Sequence, residues 1–117
     1  MLKIEAIVRP ERINQVTEAL ESAGCGGFHF QNVTGQGKQR GIEVFTGRGT
    51  ATARRTSLPK TLLVTVVRDE MKEAAIEAIL GAARADDEGA IGDGKIFISQ
   101  ISEVVRVRTD ERNEEAL

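Results

Sequence analysis

With 117 residues, the chain has room for one domain of ordinary size. Apolar residues make up 40% of it and charged residues 29%, and four Phe are its only aromatics, a balance that excludes a disordered chain and requires an aliphatic core. Sixteen Lys and Arg against eighteen Asp and Glu leave a net charge of −2, which excludes a general attraction for nucleic acid or anionic membrane, so any basic site must be local.

The opening residues, Met1 to Glu5, alternate rather than forming an apolar run behind positive charges, which predicts neither a signal peptide nor membrane insertion, and hence a cytoplasmic protein. Leu2, Ile4, Ala6 and Val8 alternate with Lys3, Glu5, Ile7 and Arg9, the period of a strand with one fully apolar face. Pro10 suits the first turn of a helix, and Ile13, Val16, Ala19, Leu20 and Ala23 recur at helical spacing until Gly24. After the turn from Gly24 to Gly27, Phe28, Phe30 and Val33 alternate with polar neighbours as a second strand. The lone Cys25 cannot form an internal disulfide and is expected to act as a small apolar residue, and the lone His29 is expected to be structural.

The second half repeats the pattern. Thr61 to Arg68 is a dense β-branched run, Ala74, Ala75, Ala78, Ile79 and Ala82 follow at helical spacing, and Ile96, Phe97 and Ile98 supply another strand. Two β-α-β units predict a single α+β domain over residues 1–117, a ferredoxin-like βαββαβ sandwich with an antiparallel sheet and two helices on one face. The run Leu62 to Val67 is apolar toward both faces, so the second face is expected to pack against other subunits or under a long loop. Two segments fall outside the sandwich: Gly35 to Ser57, polar, glycine-rich and without sustained periodicity, and Ala85 to Lys95.

Gly92-Asp-Gly-Lys95 offers backbone N–H groups uncovered by side chains, followed by one cation, as a polyphosphate requires, although Asp-Gly is also an ordinary hairpin turn. Arg106 and Arg108 stand two apart, so in extended chain both guanidinium groups point to one side, suited to phosphate oxygens or to a solvated edge. Lys38 and Arg40 share that spacing between Gly37 and Gly41, whose lack of side chains lets the backbone approach a ligand. Asp86, Asp87 and Glu88 read either as help for Mg²⁺ or as a solvated helix end. With no Tyr or Trp, one His and one Cys, the chain has no nucleophile with a matched base nearby, and binding without turnover is the simpler reading. The competing classes are a small ATP-hydrolysing enzyme, which sustained turnover would reveal, and a trimeric metal-binding module, which the absent Cys/His cluster disfavours.

Lys3-Ile-Glu-Ala-Ile-Val-Arg-Pro10, Gly35-Gln-Gly-Lys-Gln-Arg-Gly41, Leu58-Pro-Lys60, Ile91-Gly-Asp-Gly-Lys-Ile-Phe97 and Val105-Arg-Val-Arg-Thr109 together resemble the PII signal-transduction proteins of nitrogen regulation, in the family's order and over almost the whole chain. The resemblance implies a non-enzymatic, compact homotrimer that binds ATP or ADP in clefts between neighbours, with Mg²⁺ accompanying ATP. It implies a T-loop at about 37–57, a phosphate-binding B-loop at about 85–95 and a C-terminal loop at about 106–117. By position, Gly92, Asp93, Gly94 and Lys95 would wrap the phosphates, Arg106 and Arg108 would reach them from the neighbouring side, Lys38 would close over them, and Gly35 and Gly37 would border the nucleotide. Gln39 would coordinate the metal, and Gln39, Arg40, Gly41 and Lys60 would take the effector 2-oxoglutarate. The implied mechanism is a switch in which ligands at the root of the T-loop set its ordering for a target: an ammonium channel, a nitrogen-metabolism enzyme or nitrogenase. A relative that senses another small molecule, in carbon or bicarbonate metabolism, is the alternative within the same resemblance.

The chain departs from the family pattern at several places. It has no Tyr, which removes tyrosine uridylylation as a control. Lys38 stands where the family has an arginine, keeping the charge and losing the fork. His29 stands where a threonine usually lies near the adenosine, and the loop before Gly89 is longer, carrying Asp86, Asp87 and Glu88. Arg48, Arg54 and Arg55 make the T-loop basic, suited to an acidic target surface. Gly37 to Gly41 with Leu58 to Thr61 resembles the nitrogenase-associated branch.

Overall fold

The alternation at the N-terminus forms strand β1, Leu2–Val8, whose Ile4, Ala6 and Val8 are buried. Proline then fixes the backbone for a short 3₁₀ turn, Pro10–Arg12, that runs into helix α1, Ile13–Ser22. Val16 and Leu20, one helical turn apart, are its buried residues. Helix α1 ends where the Cys25 amide donates to the Leu20 carbonyl, and Cys25 is buried as expected of a small apolar residue.

This computed structural model describes residues 1–37, 42–45, 52–55 and 57–117. Strand β2 is Phe28–Gly35, and β5, Leu58–Val67, begins three residues before the β-branched run that predicted it. Between them, β3, Ile42–Phe45, pairs antiparallel with β4, Thr52–Arg55. The loop expected from Gly35 to Ser57 therefore contains a two-stranded ladder. Its strands, four residues each, are too short to establish a period, and only their mutual pairing defines them.

A second 3₁₀ turn, Asp69–Met71, leads into helix α2, Lys72–Ala83, which buries Ala75, Ile79 and Ala83. Strand β6, Gly94–Gln100, then pairs with β1. The main sheet has the order β2-β5-β1-β6 and every pair is antiparallel. That is the ferredoxin-like sandwich expected from the two β-α-β units. The core lies between sheet and helices: Ile4, Ala6, Val8, Leu63 and Val67 from strands meet Val16, Leu20, Ala75 and Ile79 from helices.

Register assigns the other face. Val64 lies opposite Glu5, Leu62 opposite Ile7 and Gln31, and Phe97 opposite Glu5 on the far side. The helices do not cover this face, so Ile7, Leu62, Val64 and Val66 are only half-buried and Phe97 is 49% exposed. Beyond β6, Val105 and Arg112 form an isolated bridge and Asn113–Ala116 a last 3₁₀ turn.

Candidate functional site

Antiparallel pairing brings four chain ends to one end of the sheet. Val8, last of β1, lies opposite Gly94, first of β6, while Gly35, last of β2, lies opposite Leu58, first of β5. The segments from Gly35 to Ser57 and from Ala85 to Lys95 meet the sheet there, whereas the segment carrying Arg106 and Arg108 follows β6 at the opposite end, where Gln100 lies opposite Leu2.

The 85–93 loop is organised by one carboxylate. Asp93 Oδ1 accepts from Arg9 Nε at 3.1 Å, while Oδ2 accepts from the amides of Ala90 at 2.7 Å and Ala85 at 3.2 Å. The Asp93 amide donates to the Ala90 carbonyl at 3.1 Å. Burial pushes this carboxyl up, but the Ala90 amide, the Arg9 guanidinium, the Ala85 amide and the Arg9 charge outweigh it and hold Asp93 below the usual carboxylate range. The side chain of Asp93 is thus turned into its own loop, so its part at the site is to shape the backbone. A carboxylate facing phosphate would repel it, and this geometry removes that conflict.

Arg9 is the residue that sequence reasoning missed. Its Nη2 also donates to the Ile91 carbonyl at 2.8 Å, while Arg12 Nη2 reaches the Ala85 carbonyl at 3.2 Å. A cation between a strand end and Pro10 was visible, but its partners lie more than eighty positions away and depend on the β1–β6 register.

Lys60, on β5 opposite Val33, donates from Nζ to the Gly92 carbonyl. Gly92 has φ +97°, and a Cβ built there would sit 3.2 Å from Arg9 Nη2 and 3.6 Å from Lys60 Nζ. The missing side chain leaves room for a ligand atom between two cations. Gly94, at φ +121°, is fixed by crowding instead: a Cβ there would fall 1.8 Å from the Ile7 carbonyl oxygen. Gly35 makes room for Lys60, whose Cγ would lie 3.2 Å from a Cβ at that position. Burial, then the Arg9 charge, lower Lys60 from the ordinary lysine value, against the opposing effects of Glu11 and Asp93.

Of the residues singled out from sequence, Gly35, Lys60, Gly92, Asp93, Gly94 and Lys95 gather at this end of the sheet. Gly37 is exposed, and Lys38, Gln39, Arg40 and Gly41 lie outside the described residues. Arg106 and Arg108 are not on extended chain: the Asp110 amide donates to the Arg106 carbonyl at 2.9 Å, closing a turn through Val107 and Arg108. The argument from spacing two apart fails there because it assumes strand geometry. Arg106 Nη1 pairs with Glu111 at 3.2 Å and Nη2 donates to the Leu117 carbonyl at 3.4 Å, both within the C-terminal segment.

Among the described residues, no group of three His, Cys, Asp or Glu could hold a metal ion. Asp86 Oδ1 accepts from the Glu88 amide at 3.0 Å, and Asp86, Asp87 and Glu88 are exposed in the turn beyond α2, not on the helix end itself. Burial pushes the Cys25 thiol up, away from the thiolate a nucleophile needs. Two cations around a glycine backbone are suited to anionic oxygen, phosphate or carboxylate.

Fold and site together define an α+β protein in which two cations flank a glycine backbone where loops and strands meet at one end of the sheet. The family model described as "Nitrogen regulatory protein P-II" matches residues 1–111. The chain is 46% identical over 118 aligned positions to "Nitrogen regulatory protein P-II 2" of Methanothermobacter thermautotrophicus, with 100% of this chain and 97% of the relative covered. It is 43% identical to "Nitrogen regulatory protein P-II" of Cereibacter sphaeroides, and 43% identical to the protein of that name from Rhodobacter capsulatus, with full coverage of both chains in each case. The chain therefore belongs to the nitrogen regulatory protein P-II family.

Proposed function

We propose that the protein is a non-enzymatic P-II signal-transduction subunit that reads ATP against ADP, together with 2-oxoglutarate, and passes the result to a target through residues 37–57. The observation that carries this reading is the space at Gly92 between the Arg9 and Lys60 cations, with Lys95 three residues further on in β6, opposite Ile7. Phosphate oxygens fit it by charge and by backbone access.

In this reading Gly92, Gly94 and Lys95 take the phosphates, Asp93 holds their loop in shape, and Lys60 receives an effector carboxylate. Gly35, Gly37 and Lys38 border the nucleotide, Gln39 coordinates Mg²⁺ with ATP, and Arg40 and Gly41 adjoin the effector. Arg106 and Arg108 reach the nucleotide from a neighbouring subunit of a homotrimer, which the uncovered face of the sheet supports. A cavity of about 590 Å³ lined by Gly27, His29, Val64 and Leu117, partly on that face, supports an adenosine site at a subunit boundary. Signalling energy comes from the ligands' different affinities for two arrangements of the target-binding segment. The target is an ammonium channel, an enzyme of nitrogen metabolism or nitrogenase, met in the cytoplasm.

Titration calorimetry with ATP and ADP, adding Mg²⁺ and then 2-oxoglutarate, tests this on wild type and on Lys95→Ala. The expected result is ATP binding that Lys95→Ala weakens at least about tenfold, equivalent to about 1.4 kcal/mol, and 2-oxoglutarate binding only with Mg-ATP. Sustained phosphate release would replace the sensor with a hydrolase. Absence of nucleotide binding would overturn the proposal.

A further inference from the structure

We propose that the groove between α2 and β6 is a docking surface for a basic amphipathic helix of a partner protein, separate from the cations around Gly92. Helix α2 packs against α1 and β1, and β6 lies at the edge of the sheet beyond β1. Between α2 and β6 an open cavity of about 690 Å³ remains. Its walls are aliphatic: Ile76 and Leu80 from α2, Ile96 and Ile98 from β6, and Ile91 from the loop that joins them. Ile96 and Ile98 stand opposite the buried Ala6 and Ile4, which places them on the helix-covered face of the sheet. Yet Leu80 is 37% exposed, Ile98 39% and Ile91 72%. Large aliphatic side chains gathered in one open groove mark a contact surface, where scattered ones would not.

The spacing along α2 gives this groove a charged rim. Ala75, Ile79 and Ala83 are buried in the core, and at about 3.6 residues per turn Ile76 and Leu80 fall on the flank toward β6. Glu73 and Glu77 precede Ile76 and Leu80 by three residues each, so the two carboxylates run along the outer edge of that flank. Glu88 stands at the loop end of the groove, beside the exposed Asp86 and Asp87. Cations are fewer. Arg84 lines the groove, Lys72 is paired with Glu73 at 3.6 Å, and Lys95, opposite Ile7, belongs to the uncovered face. Asp93, the remaining charged residue of the lining, is bound to Arg9.

An aliphatic floor with a mainly acidic rim complements a helix that carries apolar side chains at i, i+3, i+4 and i+7 with Lys or Arg beside them. A strand added along the edge of β6 would reach Ile96 and Ile98 with alternate side chains but would leave Glu73 and Glu77, on the far wall, unmet. A helix lying in the groove meets both walls. The rim disfavours an acidic partner and an anionic membrane surface. Arg48, Arg54 and Arg55 give residues 37–57 the opposite sign, so the two surfaces select different partners. The inference does not depend on nucleotide binding.

Fluorescence anisotropy of a synthetic Leu and Lys helix, with Leu at that spacing, titrated with the full chain, tests the proposal. Its comparisons are the same residues in scrambled order, a Leu and Glu version, and an extended peptide in which Leu and Lys alternate. Methyl NMR of the protein labelled at Ile and Leu locates the contact. The expected result is saturable binding of the first peptide alone, with shifts at Ile76, Leu80 and Ile98 and none at Ile7 or Leu62. Affinity should fall at least about tenfold in Leu80→Ser and in the double variant Glu73→Lys, Glu77→Lys. It should weaken as salt rises and hold in Glu21→Lys, a charge reversal on α1. Equal binding of the scrambled or acidic peptide, tighter binding of the alternating one, shifts confined to Ile7 and Leu62, or no binding overturns the proposal. So does a change of sedimentation mass in Leu80→Ser, which would give the groove to a second copy of the chain. If Leu80→Ser does not fold, the methyl map of wild type and the exposed Glu73 and Glu77 decide.

Discussion

Asp93 shows how one side chain can organise a loop from within. Its carboxylate accepts from three donors, Arg9 Nε and the Ala85 and Ala90 amides, and only an ionised carboxylate has oxygens for all of them. Asn at this position offers one oxygen and turns an NH₂ group toward a donor. Asp93→Asn is therefore expected to cost on the order of 1–3 kcal/mol and to weaken ATP binding by loosening the loop. Because the folded-state value of Asp93 is depressed, its contribution is whole above the unfolded-chain value of about 3.9 and is lost as pH falls through the lower folded value. Urea unfolding of wild type and variant should thus show a gap at neutral pH that closes in acid. A gap independent of pH would mean that ionisation of Asp93 does not hold the loop. From sequence the acid next to two glycines was visible, but which way it turned was not. That was decided by Arg9, delivered by a distant strand.

At the level of elements, two glycines separate steric need from mere tolerance. Gly94 starts β6 in a left-handed conformation with its Cα pressed on β1, and a Cβ would meet the Ile7 carbonyl at 1.8 Å. Gly94→Ala must shift one strand against the other, at about 2–4 kcal/mol. Gly81, in α2, has nothing within 4 Å of a built Cβ and no left-handed φ, so Gly81→Ala should stabilise by about 0.5–1 kcal/mol through helix propensity. Thermal or urea midpoints of both variants check the pair, and equal effects would refute the steric account. Four strands were legible: β1 and β2 from alternation, β5 and β6 from apolar, β-branched-rich runs, because both leave a trace in composition. The β3–β4 ladder and the Arg106 to Asp110 turn left none, since pairing of four-residue strands and closure of a turn are settled by hydrogen bonds between backbone groups that every residue carries.

For the whole molecule, the uncovered face of the sheet is the feature that most constrains assembly. Ile7, Leu62, Val64 and Val66 lie in its centre, and Lys3 and Glu5 pair at 2.8 Å beside them. In the proposed trimer this apolar stripe is the subunit contact, so Leu62→Glu, on the face away from the core, should leave the subunit folded and shift its sedimentation mass from that of three chains to one. A trimer that survives Leu62→Glu would place the contact elsewhere. Nucleotide affinity should fall in the same variant, because Arg106 and Arg108 are proposed to act across the boundary. By itself the sequence determined the sandwich, since periods of two and near four set which faces must be buried, and it singled out the glycine and lysine segment that leaves the sheet beside Lys60. Only the tertiary structure decided that Arg9 and Lys60 flank Gly92 and that Asp93 faces inward. Those facts depend on the register between strands dozens of residues apart, and a register is a property of pairing that no local pattern carries.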